Sequence, residues 1–247
     1  MNIEILGFAA VMLVGFSLST IGAGGAIVLL PVFTYLFGFG SAQAVSMSLL
    51  VVCLSSLLSA TLKRHSINWE IFLYFVPFSA LGSVCGSWLA HRSWVSEHLQ
   101  MSIFAIVALL AGIQTLRPAV ISAPDSPLHK IISYVFFGLL IGVLTGFLGI
   151  GGGFVIVPVL MGYIGLAAPA AVATSVSLIA FNSLIAILYN NQPIREHFDI
   201  KFFLYVLGSA ALGVLIGATL QPSTKHIRYI FGVLLIVIAL GVLWVSH

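Results

Sequence analysis

The chain has 247 residues, of which 61% are hydrophobic and only 6% charged, with a net charge of +3 and a mean hydropathy of +1.21. A soluble domain carries about 25% charged residues, so this composition excludes a water-covered globular protein and points to a polytopic membrane protein. Nine Lys and Arg against six Asp and Glu, all in or near expected loops or helix ends, set orientation in a bilayer and are no nucleic-acid footprint.

In chain order, the first apolar stretch runs from Ile5 to Phe37 and is interrupted by Gly22 to Gly25. Its start resembles a signal peptide in hydropathy, but the region before it carries Glu4 and no Lys or Arg, so Met1 to Thr20 is read as part of the fold. The second stretch, Ser41 to Leu62, ends at Lys63-Arg64-His65; the third is Trp69 to Ala90 and the fourth Leu99 to Leu116. The most polar connection follows, Arg117 to Lys130, with Pro118, Pro124 and Pro127. The second half gives Ile131 to Gly162, Ala168 to Leu188, Ile200 to Leu220 and Ile227 to Val245. Each uninterrupted stretch approaches the ~20 residues that span a bilayer.

The two halves repeat. Gly22-Ala23-Gly24-Gly25 runs on to Pro31, and Gly149-Ile150-Gly151-Gly152-Gly153 runs on to Pro158, at a constant offset of 127. Ser48 and Ser56 match Ser175 and Ser183 at that offset, and Gly82 and Gly86 match Gly213 and Gly217 at 131. The reading is an all-α protein of two homologous four-segment halves packed as one transmembrane domain over 1–247. The first repeat is 1–117, the connecting loop 118–130 and the second repeat 131–247.

If the broken first segment spans, the halves are parallel; if it dips in and returns, they are inverted. The loop cations divide six to three in either case and do not decide. Length favours the hairpin. The run 5–37 is 33 residues, about 50 Å of helix and too long for one straight crossing. Inverted repeats with glycine-broken first helices are therefore expected.

A glycine cluster at membrane depth breaks a helix where no water can satisfy the freed backbone. That is tolerated only where the backbone lines a cavity or is buried in protein. Paired breaks at matching places in two halves point to a transporter's substrate site. A restarted helix offers free N–H groups and a partial positive charge, an anion site without any cation. In an inverted arrangement the two ends can face one another near the midplane. The candidate substrate-binding residues are Gly22, Gly24, Gly25 and Ala26 in the first half and Gly149, Gly151, Gly152 and Gly153 in the second. Ser48 and Ser55 on the next helix are seven apart and share a face, as do their counterparts Ser175 and Asn182. Ser46 and Thr174 lie nearby, and all these hydroxyls and amides can donate to an oxyanion. Close packing explains Gly82/Gly86, Gly138/Gly142/Gly146 and Gly213/Gly217, small residues at four-residue spacing.

No acidic residue sits mid-membrane, since Glu4 and Glu70 lie at segment ends, and no His or Asp cluster suits a metal or a proton relay. No P-loop is present. No catalytic residues, metal or cofactor are expected, and the chain is not read as an enzyme. Cys53 and Cys85 read as buried packing thiols, and His65, His98 and His197 as solvated loop residues.

The segment Gly15 to Pro31 and its partner Gly142 to Pro158 resemble the sulfite exporter TauE/SafE family, membrane permeases linked to sulfur oxyanions and organosulfonates. The second copy, Thr145-Gly146-Phe147-Leu148-Gly149-Ile150-Gly151-Gly152-Gly153, matches the pattern closely. The first departs from it, with Ser19 in place of Gly146 and Ala26 in place of Gly153, so the half-sites are unlike. The resemblance covers nearly the whole chain. It implies a secondary transporter of a small sulfur-containing anion, multi-pass in the bacterial inner membrane. Its partners are then a small anionic substrate and the lipid bilayer, with a homo-oligomer left open and no nucleic acid. The alternatives are another small solute on the same fold, or a membrane assembly protein without transport.

Overall fold

The computed structural model describes residues 3–22, 25–90, 92, 95–116, 127–148, 153–162, 164–189, 200–220 and 224–245. Among them the helices are α1 (Ile3–Ile21), α2 (Gly25–Pro31), α3 (Ser41–Leu62), α4 (Trp69–Ala90), α5 (Glu97–Leu116), α6 (Pro127–Leu148), α7 (Gly153–Gly162), α8 (Ala168–Tyr189), α9 (Ile200–Leu220) and α10 (Thr224–Val245). A π-helical turn, Val32–Leu36, follows α2, and a short 3₁₀ turn, Arg64–Ser66, follows α3. Five helices are long and apolar enough to cross a membrane, and the large exposed side chains along them are mainly Leu, Ile and aromatic. Exposed Trp69, Trp88, Tyr189, Tyr229 and Trp244 sit near helix ends, where amphipathic rings meet the headgroups. The chain is a multi-pass all-α membrane protein.

The expected boundaries hold to within a few residues. Differences fall where local chemistry extends a helix. α6 begins at Pro127, inside the stretch read as connection, because proline at a first helical position loses no hydrogen bond. His98, expected in a loop, lies in the first turn of α5. Cys85, expected to be buried, is exposed on α4, whereas Cys53 is buried on α3.

The first segment doubles back. Phe37, after the π turn, stacks on Phe8 near the start of α1, with ring centroids 5.6 Å apart. A single crossing would hold these residues about 40 Å apart, so α2 and the π turn run back along α1. The return ends in a wide turn. Phe37 N donates to Val32 O and Phe39 N to Phe33 O, around Gly38 at φ +72°. The second half repeats it at the same offset. Ile164 N donates to Val159 O and Leu166 N to Leu160 O, around Gly165 at φ +78°. Glycine is needed there because a side chain is strained at positive φ.

The halves pack by exchange. α1 lies on α9 and α6 on α4, while α3 meets α8 and α5 meets α10. The small residues set the first two pairs. A Cβ on Gly142 would stand 2.7 Å from Ser83 N, and one on Gly213 2.8 Å from Phe16 N. In each pair the helices touch backbone to backbone, which is how membrane helices gain dispersion energy without a hydrophobic drive. Contacts advance together along both chains, Gly82 against Gly142 and Gly86 against Phe147, so α4 and α6 run the same way. Cys53 Sγ contacts Ala180 O at 3.6 Å. These residues match at the sequence offset of 127, so equivalent positions of the two apolar runs meet at the α3–α8 crossing.

Overpacking such a contact costs ~1–3 kcal/mol in a well-packed core. Gly142→Leu is therefore expected to lower the thermal midpoint in detergent by several degrees or prevent folding, while Gly208→Leu, with nothing near its Cβ position, leaves it unchanged. The doubling back makes a second prediction. Gly40→Cys and Lys201→Cys, in a chain without its native cysteines, should react with an impermeant maleimide from one side of the membrane, and Arg64→Cys from the other.

Candidate functional site

The glycine break of the first half is held by α8. Gly22 takes φ +66°, and a Cβ there would stand 2.8 Å from the Cα of Val172. Its carbonyl accepts a 2.7 Å hydrogen bond from Ser175 Oγ, and its N–H closes α1 on Leu18 O. In the second half α6 ends at Leu148, and the buried Gln100 on α5 donates from Nε2 to Phe147 O at 2.8 Å. Position 227 corresponds to Gln100 at the repeat offset and is Ile227, so the two breaks are secured differently. Gln100 was not singled out from the sequence; a lone amide in the first turn of an apolar helix was the available signal.

The ends of α1 and α6 lie at different levels of α8. Gly22 sits beside Val172 and Ser175 in the first turns of α8. Phe147 packs against Gly86, whose neighbour Ser87 donates to Ala186 O near the other end of α8. The eleven steps from Ser175 to Ala186 correspond to ~17 Å of helix. The ends of α1 and α6 thus meet α8 at two levels. Gly25 and Gly153 begin α2 and α7, and Ala26 lies within α2. Gly24, Gly149, Gly151 and Gly152 lie outside the described residues.

The candidate side chains divide into two groups. Ser48 Oγ donates to Val45 O on its own helix, Ser46 Oγ to Ala42 O, and Thr174 Oγ1 accepts from Asn68 N at 3.0 Å. Ser175 is committed to Gly22. Ser55 and Asn182 are different. Both are buried, Asn182 completely, and neither Ser55 Oγ nor either polar atom of the Asn182 amide has a partner. Ser56, Ser59, Ser83 and Ser183 also hold buried, unpartnered hydroxyls. Each such group costs ~1–3 kcal/mol of lost solvation; these lie on α3, α4 and α8, and Ser19 on α1 and Thr34 in the π turn hold unpartnered hydroxyls as well.

At the face where α3 ends and α8 begins, Lys63 is half-buried beside Arg64 and His65. Burial pushes its ammonium below the usual lysine range. No group of three or more His, Cys, Asp or Glu that could hold a metal exists among the described residues.

The profile of the sulfite exporter TauE/SafE family matches residues 7–242. The chain belongs to that family. It is 26% identical to a probable membrane transporter protein of Xylella fastidiosa, covering 95% of this chain and 92% of that one. It is also 26% identical to a probable membrane transporter protein of Methanocaldococcus jannaschii, covering 94% and 92%. A third relative, the probable membrane transporter protein YunE of Bacillus subtilis, is 28% identical over 89% and 90%. No solved structure matches. This TauE/SafE protein is thus a membrane transporter of that family.

Ser175→Ala in this TauE/SafE protein leaves the Gly22 carbonyl without its donor. A loss of ~1–3 kcal/mol is expected, read as a lower thermal midpoint, and Ser209→Ala, whose exposed hydroxyl bonds only its own helix, should not move it.

Proposed function

We propose that the protein is a secondary transporter that carries a small sulfur-containing anion, sulfite or an organosulfonate, across a bacterial inner membrane. The family supports the substrate class, since its description is that of sulfite exporters. The observation that carries the reading is the Asn182 amide, fully buried with neither donor nor acceptor used. A native interior rarely leaves such a group idle, and a transported ligand accounts for it.

In this reading the two halves are inverted, and the anion moves along α8 past the glycine breaks. The restarted helices α2 and α7 supply backbone N–H groups and partial positive charge at their N-terminal glycines. Ser55 and Asn182 supply neutral donors. Ser175 holds the backbone at the first break, while Ser48 bonds its own helix and Thr174 the start of α4, so these three reach the ligand only if their hydrogen bonds exchange. Lys63, Arg64, Arg117, Lys130, Lys225 and Arg228 fall on the side where α3 ends, which is then the cytoplasmic side. A basic mouth at Lys63 and Arg64 would gather anions there. Moving one negative charge outward gains ~2.3 kcal/mol per 100 mV of negative-inside potential, so export runs without a nucleotide or an ion partner.

Proteoliposomes give the test. Sulfite or an organosulfonate should move, with outward flux growing as the interior is made negative. Gly151→Ala with Gly152→Ala should reduce flux at least tenfold while the thermal midpoint and elution profile stay those of the parent. Flux that survives in the folded double variant would assign the glycines to packing, and no flux of any sulfur anion would remove the substrate class.

A further inference from the structure

We infer that the substrate sits in a hydroxyl–amide pocket between α4 and α8 built from Ser83, Asn182 and Ser183, and that this pocket selects a singly charged sulfur oxyanion over a doubly charged one. The inference rests on the transport reading above and adds to it a residue and a charge state.

The placement comes from two hydrogen bonds. Asn68 N, just before α4, donates to Thr174 Oγ1 early in α8, and Ser87 Oγ, late in α4, donates to Ala186 O late in α8. The two helices therefore run the same way, side by side. One turn before Ser87 stands Ser83, and one turn before Ala186 stand Asn182 and Ser183. These three residues are each 0% exposed, and their hydroxyls and amide have no partner. They share one level of one interface.

The repeat has no equal at the matching interface. Ser79, Ser83 and Ser87 on α4 correspond to Ala210, Val214 and Ala218 on α9. α9 packs on α3 as α4 packs on α8. Ser55 and Ser56, the counterparts of Asn182 and Ser183, therefore belong to an interface whose other wall has no hydroxyl at these positions. Only the α4–α8 side offers polar groups from both helices.

Charge state follows from what is missing. α3 and α8 contain no charged residue, and α4 only Glu70 in its first turn. The pocket offers two hydroxyls and two amide N–H bonds, enough for the oxygens of one sulfonate-type head. The cost of moving an ion out of water rises with the square of its charge, so a dianion costs about four times a monoanion of like size. Four neutral donors offset the smaller cost far better than the larger. The amide oxygen of Asn182 is left for a donor on the ligand, which hydrogensulfite carries and methanesulfonate lacks.

The test measures sulfite uptake into proteoliposomes of the full chain, with methanesulfonate and sulfate as competitors and no imposed pH gradient. Methanesulfonate should compete and sulfate at equal concentration should not. The half-saturating total sulfite should fall as pH is lowered. Ser83→Ala should raise the half-inhibiting methanesulfonate concentration about tenfold, the loss of one hydrogen bond to a charged group, with the thermal midpoint retained. If that variant does not fold, Ser83→Cys keeps the volume, removes the strong donor and takes its place. Sulfate that competes as well as methanesulfonate, or a folded Ser83 variant with unchanged inhibition, overturns this inference and leaves the transport reading standing. Sulfite that does not move at all in folded parent protein overturns both.

Discussion

A peptide group in hydrocarbon has no water to bond, and the whole architecture answers to that constraint. The protein interrupts a helix at membrane depth all the same. The interruption survives because other helices supply what the backbone lost. Ser175 gives a hydroxyl to Gly22 O, and Gln100 gives an amide to Phe147 O. Both donors come from outside the segment they stabilise. The first break thus depends on the second half of the chain, and the end of α6 on the first half.

The same dependence appears in the packing. α1 has its main partner in α9, and α6 in α4. Helices that meet across backbone atoms at Gly15, Gly82, Gly142 and Gly213 leave little room between them. Two halves that each supply the other's closest partner cannot separate as rigid bodies without unzipping those contacts. Motion between states of a transporter is then easier at places with fewer such contacts. The α3–α8 crossing, where Cys53 meets Ala180, lies between the two glycine-zippered pairs. The helices α3 and α8 also carry much of the unsatisfied polarity, on Ser55, Ser56, Ser59, Asn182 and Ser183.

That polarity is expensive where it stands. Dispersion between small residues stabilises the frame, while buried hydroxyls and an idle amide work against it. Folds that keep such groups usually use them. The arrangement therefore separates two tasks. Glycine and alanine faces hold the helices together, while Ser55, Ser56, Ser59, Ser83 and Ser183, with Asn182, remain uncommitted.

The sequence by itself determined the membrane class and the helices. Hydropathy marks the long apolar runs because an interior without water leaves no alternative to a helix, and helix boundaries such as Ser41–Leu62, Trp69–Ala90 and Ile200–Leu220 coincide with the ends of those runs. The four-residue glycine spacing announced close helix contacts, and the first glycine cluster announced the break at Gly22. Loop charge could not decide whether the first segment returned, whereas the stacking of Phe37 on Phe8 did. Nor could spacing alone separate Ser175 from Asn182. Both sit on a buried face of α8, yet one hydroxyl is spent on Gly22 and the other side chain is spent on nothing. Partners that lie 153 residues apart in the chain leave no local pattern, because a hydrogen bond between helices depends on where the helices cross, and only the tertiary structure decides that.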